Sequence, residues 1–284
     1  MQTVPQTFAR RDVPLAKSDF AVLGIPFDSS ESYRTGSRFG PSAIREASRD
    51  LEDYDMEEGF DLMGLKICDL GDLEVSFGNF DETNRRAIEA IDEILKNDAV
   101  PICIGGEHTI TYFTAKAMKK NVAYVIYDAH LDYRADYLDN RFSHASITRR
   151  LSEEVGAENI LLIGVRSGSK EELIDAKRDG LSFITSRDFY KDRKDAQKRI
   201  SAFTKNRDVY LSIDLDAFDP SEVRGVCNPE PGGLYYRDVI ESLSFLKGCK
   251  LAGFDVTELA PDYDSYSEIL AAKLIFKVLA IYKG

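Results

Sequence analysis

The amino-acid sequence predicts an α/β fold: a three-layer α/β/α domain built on a mostly parallel sheet of about eight strands. Three observations carry that expectation. Short apolar, β-rich runs recur along the chain, stretches of helical period separate them, and no internal repeat, low-complexity tract or Pro/Gly/Ser-rich linker interrupts the 284 residues. The runs fall at residues 20–25, 65–68, 100–104, 122–127, 160–164, 181–184, 209–213 and 251–255. Between them, stretches such as 81–96 place Ala87, Ile88, Ile91, Ile94 and Leu95 on one face and Arg85, Arg86, Glu89, Asp92 and Glu93 on the other. That pattern belongs to a surface helix lying on a sheet. Strand and helix in alternation imply right-handed crossovers, which put helices on both sides of a parallel sheet. Residues 187–199, dense in both signs of charge, read as a solvated helix face. A single domain over residues 1–284 follows, at the upper edge of the usual length for one core.

Composition narrows the partners. Hydrophobic residues make up 43% of the chain, enough for a full-sized core, while a formal net charge of −12 disfavours nucleic acid, whose phosphates are bound by basic surfaces. An acidic surface tolerates a cationic substrate, although net charge of this size also serves solubility. Cys68, Cys103, Cys227 and Cys249 are scattered, with no C-x-x-C pair, and read as reduced thiols of a cytoplasmic protein. The first segment mixes Arg10, Arg11 and Asp12 with prolines, and the most apolar late stretch is broken by Lys273 and Lys277. Neither a targeting segment nor a membrane partner is expected.

In a parallel α/β sheet ligands sit beyond the carboxyl ends of the strands, and three such ends are polar here. Asp128, His130 and Asp132 follow the run 122–127 at i, i+2 and i+4, so an extended chain would point all three to one side. A strand-end turn with a helix-capping aspartate is the alternative. Asp214 and Asp216 follow the run 209–213, ahead of an Asp219-Pro220 turn; taken alone they also read as a polar strand end. Gly105-Gly106-Glu107-His108 follows the run 100–104, where paired glycines permit a sharp turn before the histidine. A lone histidine there also reads as a satisfied structural residue. The conjunction separates these readings. The chain has only three histidines, His108, His130 and His144, and two of them fall at strand ends, one among aspartates. Four aspartates in one cleft repel and raise one another's pKa unless cations join them. Two imidazoles with four carboxylates suit two hard or borderline ions such as Mn²⁺, and cysteine plays no part, unlike in a structural zinc site. Two such ions, about 3.5–4 Å apart, share a water and lower its pKa, so hydrolysis is the natural reaction class.

The blocks Gly-Gly-Glu-His at 105–108, Asp-Ala-His-Leu-Asp at 128–132 and Ser-Ile-Asp-Leu-Asp-Ala-Phe-Asp-Pro at 212–220 together resemble the signatures of the arginase and agmatinase (ureohydrolase) family in order and spacing. The likeness extends to Gly-Ile-Pro-Phe-Asp at 24–28, Arg-Phe-Gly-Pro at 38–41, Pro-Glu-Pro-Gly-Gly at 229–233 and Phe-Asp-Val-Thr-Glu-Leu at 254–259. It implies two manganese ions per subunit. His108 and Asp132 would hold one, His130 and Asp216 the other, with Asp128 and Asp214 bridging. Glu258 matches the family's guanidinium-binding carboxylate, suited to a bidentate hold on a planar guanidinium. His144 matches its proton-shuttling histidine, with Asp216 passing a proton to the leaving nitrogen. The implied reaction is attack of a metal-bridging hydroxide on a guanidinium carbon, releasing urea and an amine.

The resemblance also bears on the substrate. The loop 133–144 looks like the agmatinase version, rich in Asp and Tyr that suit a distal amine, although Arg134 and Arg141 cut against that unless they are paired or turned away. Agmatine, split to putrescine and urea as in polyamine biosynthesis, is therefore the expected substrate. Arginine, guanidinobutyrate, guanidinopropionate and formiminoglutamate remain alternatives, as does a catalytically silent homologue that keeps its metals. One segment departs from the family: Arg224-Gly225-Val226-Cys227-Asn228 stands where relatives have a Gly/Thr-rich run. A two-metal phosphoesterase is disfavoured because no Gly-rich loop with a lysine is present to cradle a phosphate. The family implies a homo-oligomer, a trimer or hexamer.

Overall fold

A computed structural model of the chain describes residues 6–118 and 121–284; Met1 to Pro5, within the expected domain, lie outside the described residues. In chain order the strands are β1 Phe20–Ile25, β2 Tyr54–Asp55, β3 Phe60–Asp61, β4 Ile67–Asp72, β5 Val100–Gly105, β6 Val122–Tyr127, β7 Ile160–Val165, β8 Ser182–Thr185, β9 Asp208–Asp214 and β10 Lys250–Thr257. Eight of them form one sheet in the order β4-β1-β5-β10-β9-β6-β7-β8. Every pairing in it is parallel. The inner strands are buried along nearly their whole length. That is why they appear in the sequence as unbroken apolar runs and not as an alternation.

Helices α1 Gly40–Ser48, α2 Phe80–Lys96, α3 Ile110–Ala117, α4 Ile147–Val155, α5 Lys170–Arg178, α6 Ser186–Lys191, α7 Arg193–Thr204, α8 Tyr236–Ser242 and α9 Ser267–Lys283 cover the two faces. α2 starts where Asn79 caps it, its side chain accepting from the Glu82 amide at 3.1 Å. It then buries Ala87, Ile91 and Ile94, while Ile88 and Leu95 are only half-buried.

The fold departs from the sequence reading at three places. The second strand runs from Ile67 to Asp72, beyond the predicted end at Cys68; its Asp69 faces Arg45 of α1, with Arg45 Nε 2.9 Å from the carboxylate. The short antiparallel hairpin β2–β3 was not predicted, because two residues per strand carry no periodicity. Residues 187–199 span two helices, broken at Asp192, which caps the second by accepting from the Asp195 amide. Nor is this segment only a solvated face, since Phe189 and Ala196 enter the core.

α9 is buried on nearly all sides. Its Lys277 is 2% exposed and holds Asp55 of β2 at 2.9 Å and Glu57 at 2.6 Å. Burial pushes the ammonium down, and the two carboxylates more than offset this, leaving it above its ordinary value. No described helix is long and apolar enough to cross a membrane.

What matters for the site is that β5, β10, β9 and β6 are adjacent, so the loops leaving their carboxyl ends meet over the middle of the sheet. The loop after β5 is strapped to the loop after β1 by Gly106 N to Ile25 O at 2.9 Å and Glu107 N to Phe27 O at 2.7 Å. A Cβ built at Gly106 would overlap the Phe27 carbonyl oxygen, so only glycine permits this approach. Replacing Lys277 by Met should strand the buried Asp55 carboxylate and cost about 3–5 kcal/mol of stability. Urea denaturation would show a lowered midpoint, partly restored by adding Asp55→Asn; an unchanged midpoint for Lys277→Met would refute the pair's role.

Candidate active site

Each of the four central strands delivers side chains to one cluster. After β6 the chain leaves strand geometry at once. Asp128 N donates to Ile163 O (3.0 Å), His130 makes a single bridge to Ser167, and Asp132 takes a left-handed φ of 48°. The expected extended run is therefore not what gathers Asp128, His130 and Asp132; a bent loop held against β7 does so. After β9, Asp214 accepts from the Asp216 amide at 2.8 Å and starts a short helical turn, Leu215–Ala217, that turns Asp216 inward. After β5, the Gly-Gly turn carries His108 into the same space. All of these side chains are buried except His130, which is half-buried at the cleft wall.

The carboxylates group around the two imidazoles. His108 Nδ1 lies 2.9 Å from Asp128 Oδ2, 3.2 Å from Asp214 Oδ2 and 3.7 Å from Asp132 Oδ2. His130 Nδ1 lies 2.9 Å from Asp216 Oδ2 and 3.7 Å from Asp128 Oδ1. Asp128 thus turns one oxygen to each imidazole. Two sets of donor atoms close enough to hold an ion result, His108-Asp128-Asp132 and Asp128-His130-Asp216, and they share Asp128. Asp214 stands beside the first.

Whether a cation fits is decided by the polar atoms left over. His108 Nδ1 and Asp128 Oδ2 are buried and close, yet misaligned for a hydrogen bond, and each lacks any partner among the described residues. Buried polar groups are ordinarily satisfied, so these atoms face something the protein does not supply. Electrostatics agree. Burial and the neighbouring Asp128 push Asp132 up to about 7, burial and Asp216 push Asp214 well above the carboxylate range, and both imidazoles are raised by the surrounding carboxylates against the effect of burial. A divalent cation relieves this crowding of negative charge.

The groups behind His108 orient it. Its Nε2 meets Ser212 Oγ at 3.0 Å, and Ser212 in turn donates to Asp255 Oδ1 at 2.6 Å. Thr111 and Tyr210 donate to the other Asp255 oxygen at 2.9 and 2.7 Å. With Ser212 donating to Asp255, its oxygen accepts from His108 Nε2–H, which leaves the Nδ1 lone pair facing the carboxylates. That is the tautomer a metal ligand needs.

Two further predicted residues flank the cluster. Glu258 follows β10 with a left-handed φ of 66°; its amide donates to Gly106 O at 2.9 Å, and its Oε1 accepts from the His108 amide at 2.7 Å. Its Oε2 is buried without a partner among the described residues. Burial and Asp214 raise its pKa well above normal. His144, at the end of the loop 133–144, is 8% exposed. Its backbone N–H and its Nδ1 both reach Ser30 Oγ, at 2.9 and 3.1 Å, and Ser30 donates to Glu107 Oε1 at 2.8 Å. The Ser30 amide and the Thr109 hydroxyl, each at 2.7 Å, hold that carboxylate in place. Burial and nearby His130 lower His144 to about 4, so it stays a neutral base.

A cavity of about 280 Å³ opens from the cluster past Asp132, Tyr137, His144 and Asn228. The two arginines that cut against a cationic substrate are engaged: Arg134 with Glu172 at 3.3 Å and Arg141 with Glu153 at 2.8 Å. The structure therefore brings together all eight residues singled out by sequence. Sequence reasoning missed Ser30, Glu107, Ser212 and Asp255. Glu107, Ser212 and Asp255 lie inside quoted motifs, and Ser212 precedes Asp214 by two, which in a strand means the same face.

The fold and this cluster define a class, an α/β/α protein with a candidate two-centre metal site at the carboxyl ends of its central strands. Comparison gives the particular family: residues 18–280 match the Arginase family model, and the chain belongs to the arginase family. It is 39% identical to the agmatinase of Pyrococcus horikoshii, over 95% of this chain and 94% of that protein. It is 39% identical to the N(1)-aminopropylagmatine ureohydrolase of Thermococcus kodakarensis, over 92% and 89%. The crystal structure of the agmatine ureohydrolase of Thermoplasma volcanium superposes with a TM-score of 0.91 at 35% identity, covering 98% of this chain and 94% of that one.

Because Asp128 belongs to both donor sets and Asp216 to one, Asp128→Asn should abolish divalent-cation retention at both, whereas Asp216→Asn should leave one set able to hold an ion. Elemental analysis after gel filtration measures this, and equal metal content in the two variants would contradict the shared position.

Proposed function

We propose that this chain is an agmatinase, hydrolysing agmatine to putrescine and urea, with two Mn²⁺ ions per subunit. The observation that carries the reading is the convergence of His108, Asp128, His130, Asp132, Asp214 and Asp216 beside a buried carboxylate, Glu258, whose Oε2 has no partner among the described residues. His108, Asp128, Asp132 and Asp214 would hold one ion, and Asp128, His130, Asp214 and Asp216 the other. When bound, such a pair of cations supplies a water acidified enough to attack at neutral pH.

The remaining steps belong to the chain. The Glu258 carboxylate accepts N–H donors of the guanidinium and orients its carbon towards the cluster. Asp216 would pass a proton to the departing nitrogen. His144, neutral and with its Nδ1–H on Ser30, presents Nε2 to the cleft, where it exchanges protons with the leaving amine. The Ser30–Glu107 pair keeps that ring in one orientation.

The match over residues 18–280 supports one ureohydrolase domain over the whole chain. The four free cysteines support a cytoplasmic setting, and the family suggests a homo-oligomer, a trimer or hexamer. A second reading, N(1)-aminopropylagmatine as substrate, is favoured by the equal identity to the Thermococcus kodakarensis ureohydrolase. The two substrates share the guanidinium end and differ only beyond the distal nitrogen.

Urea release by the Mn²⁺-loaded protein should be measured against agmatine, N(1)-aminopropylagmatine, arginine and 4-guanidinobutyrate. Release from agmatine at the highest kcat/KM is expected, and no release from any of the four would sink the reading. Glu258→Gln should lower kcat/KM by about 10- to 100-fold with metal content intact. Ser30→Ala should lower kcat by about 100-fold with KM little changed, by freeing the His144 ring. Ser30→Thr, which keeps the hydroxyl, should recover most of it, and a Ser30→Ala enzyme of normal kcat would remove Ser30 from the mechanism.

A further inference from the structure

A third group of donor atoms lies beside the two already described. Glu31, Cys227 and Glu258 each offer one ligand atom, and these three atoms lie within 4.8 Å of one another. Glu31 belongs to the loop after β1, Cys227 to the segment 224–228 that departs from the family's Gly/Thr-rich run, and Glu258 to the end of β10. The chain's departure from the family has therefore put a thiol against the carboxylate assigned to guanidinium.

Three features make this more than a chance meeting of acids. Glu31 is held in place by the Gly36 amide on Oε2 at 3.0 Å and by the Ser37 amide, at 3.2 Å, and hydroxyl on Oε1. Fixed outer partners of this kind are what orient a ligating carboxylate. The Cys227 sulfur, on a fully buried side chain, lies 3.1 Å from Glu31 Oε1. Glu258 is 3% exposed, and its Oε2 is unpartnered among the described residues. A buried thiol between two carboxylates is an unfavourable neighbour: burial, Glu258 and Glu31 all push it up, so it stays protonated.

One sulfur and two carboxylate oxygens form a donor set that hard Mn²⁺ does not favour and that Zn²⁺ or Cd²⁺ does. Bonds of about 2.0–2.3 Å would set tetrahedral donors roughly 3.5 Å apart, which small side-chain rotations reach from the present spacing. We propose that Glu31, Cys227 and Glu258 form a site for a thiophilic divalent cation of the zinc class, separate from the manganese pair, and that its occupancy excludes a guanidinium from Glu258. Binding releases the thiol proton to solvent, and nothing is oxidised. The exclusion rests on the guanidinium role given to Glu258 above; the binding itself does not.

The test uses the Mn²⁺-loaded protein titrated with Cd²⁺. Thiolate-to-cadmium charge-transfer absorption should rise to saturation at one Cd²⁺ per chain with Mn²⁺ retained, vanish in Cys227→Ser, and weaken in affinity at least tenfold in Glu31→Gln. Guanidinium chloride should raise the apparent Cd²⁺ dissociation constant. No absorption, absorption that persists in Cys227→Ser, or absorption that appears only as Mn²⁺ is lost would each overturn the cation site. Absorption that ignores guanidinium would overturn the exclusion. Because charge transfer and urea release are read separately, the reaction and the cation site fail separately.

Discussion

Carboxylate crowding is the constraint on which the rest of the structure depends. Asp128, Asp132, Asp214 and Asp216 converge on two imidazoles in a place that water scarcely reaches. Left to themselves, such groups would take up protons, and Asp132 and Asp214 are indeed raised. The fold tolerates the arrangement because the sheet is buried and rigid, and because four adjacent strands each commit one end to it. A cation turns the same repulsion into binding energy.

Holding that arrangement takes backbone conformations and contacts remote from the cluster. Asp132 and Glu258 both sit at left-handed φ values in turns that carry their carboxylates inward, a geometry concentrated at functional positions. Gly106 lets the His108 loop touch the loop after β1, and the Glu258 amide closes back onto Gly106. Behind His108, the chain Ser212–Asp255 with Thr111 and Tyr210 sets the ring's tautomer. The cluster is thus supported by β1, β5, β9 and β10 together, and a disturbance in one loop is transmitted to the others through short hydrogen bonds and not through distant packing.

The departure at 224–228 gains meaning in this setting. In the chain it is merely an unusual stretch; in space Cys227 comes close to Glu258 and touches Glu31. Arg134 and Arg141, which as a sequence argued against a cationic substrate, are each spoken for by a glutamate. Local charge in a loop reports little until its partners are known.

The sequence by itself determined the fold class, the central strands to within a residue or two, and a set of eight candidate residues that the structure brings together. It could do so because buried parallel strands are written as apolar runs and because three motifs mark their carboxyl ends. It did not show the short hairpin or the break at Asp192, where two-residue pairing and a single capping aspartate leave almost no periodic trace. Tertiary structure alone decided the strand order that makes β5, β10, β9 and β6 neighbours, the bent path through Asp132, the burial of His144 on Ser30, and the meeting of Cys227 with Glu31. Each joins residues far apart in the chain through hydrogen bonds, left-handed turns or contacts that no local pattern encodes.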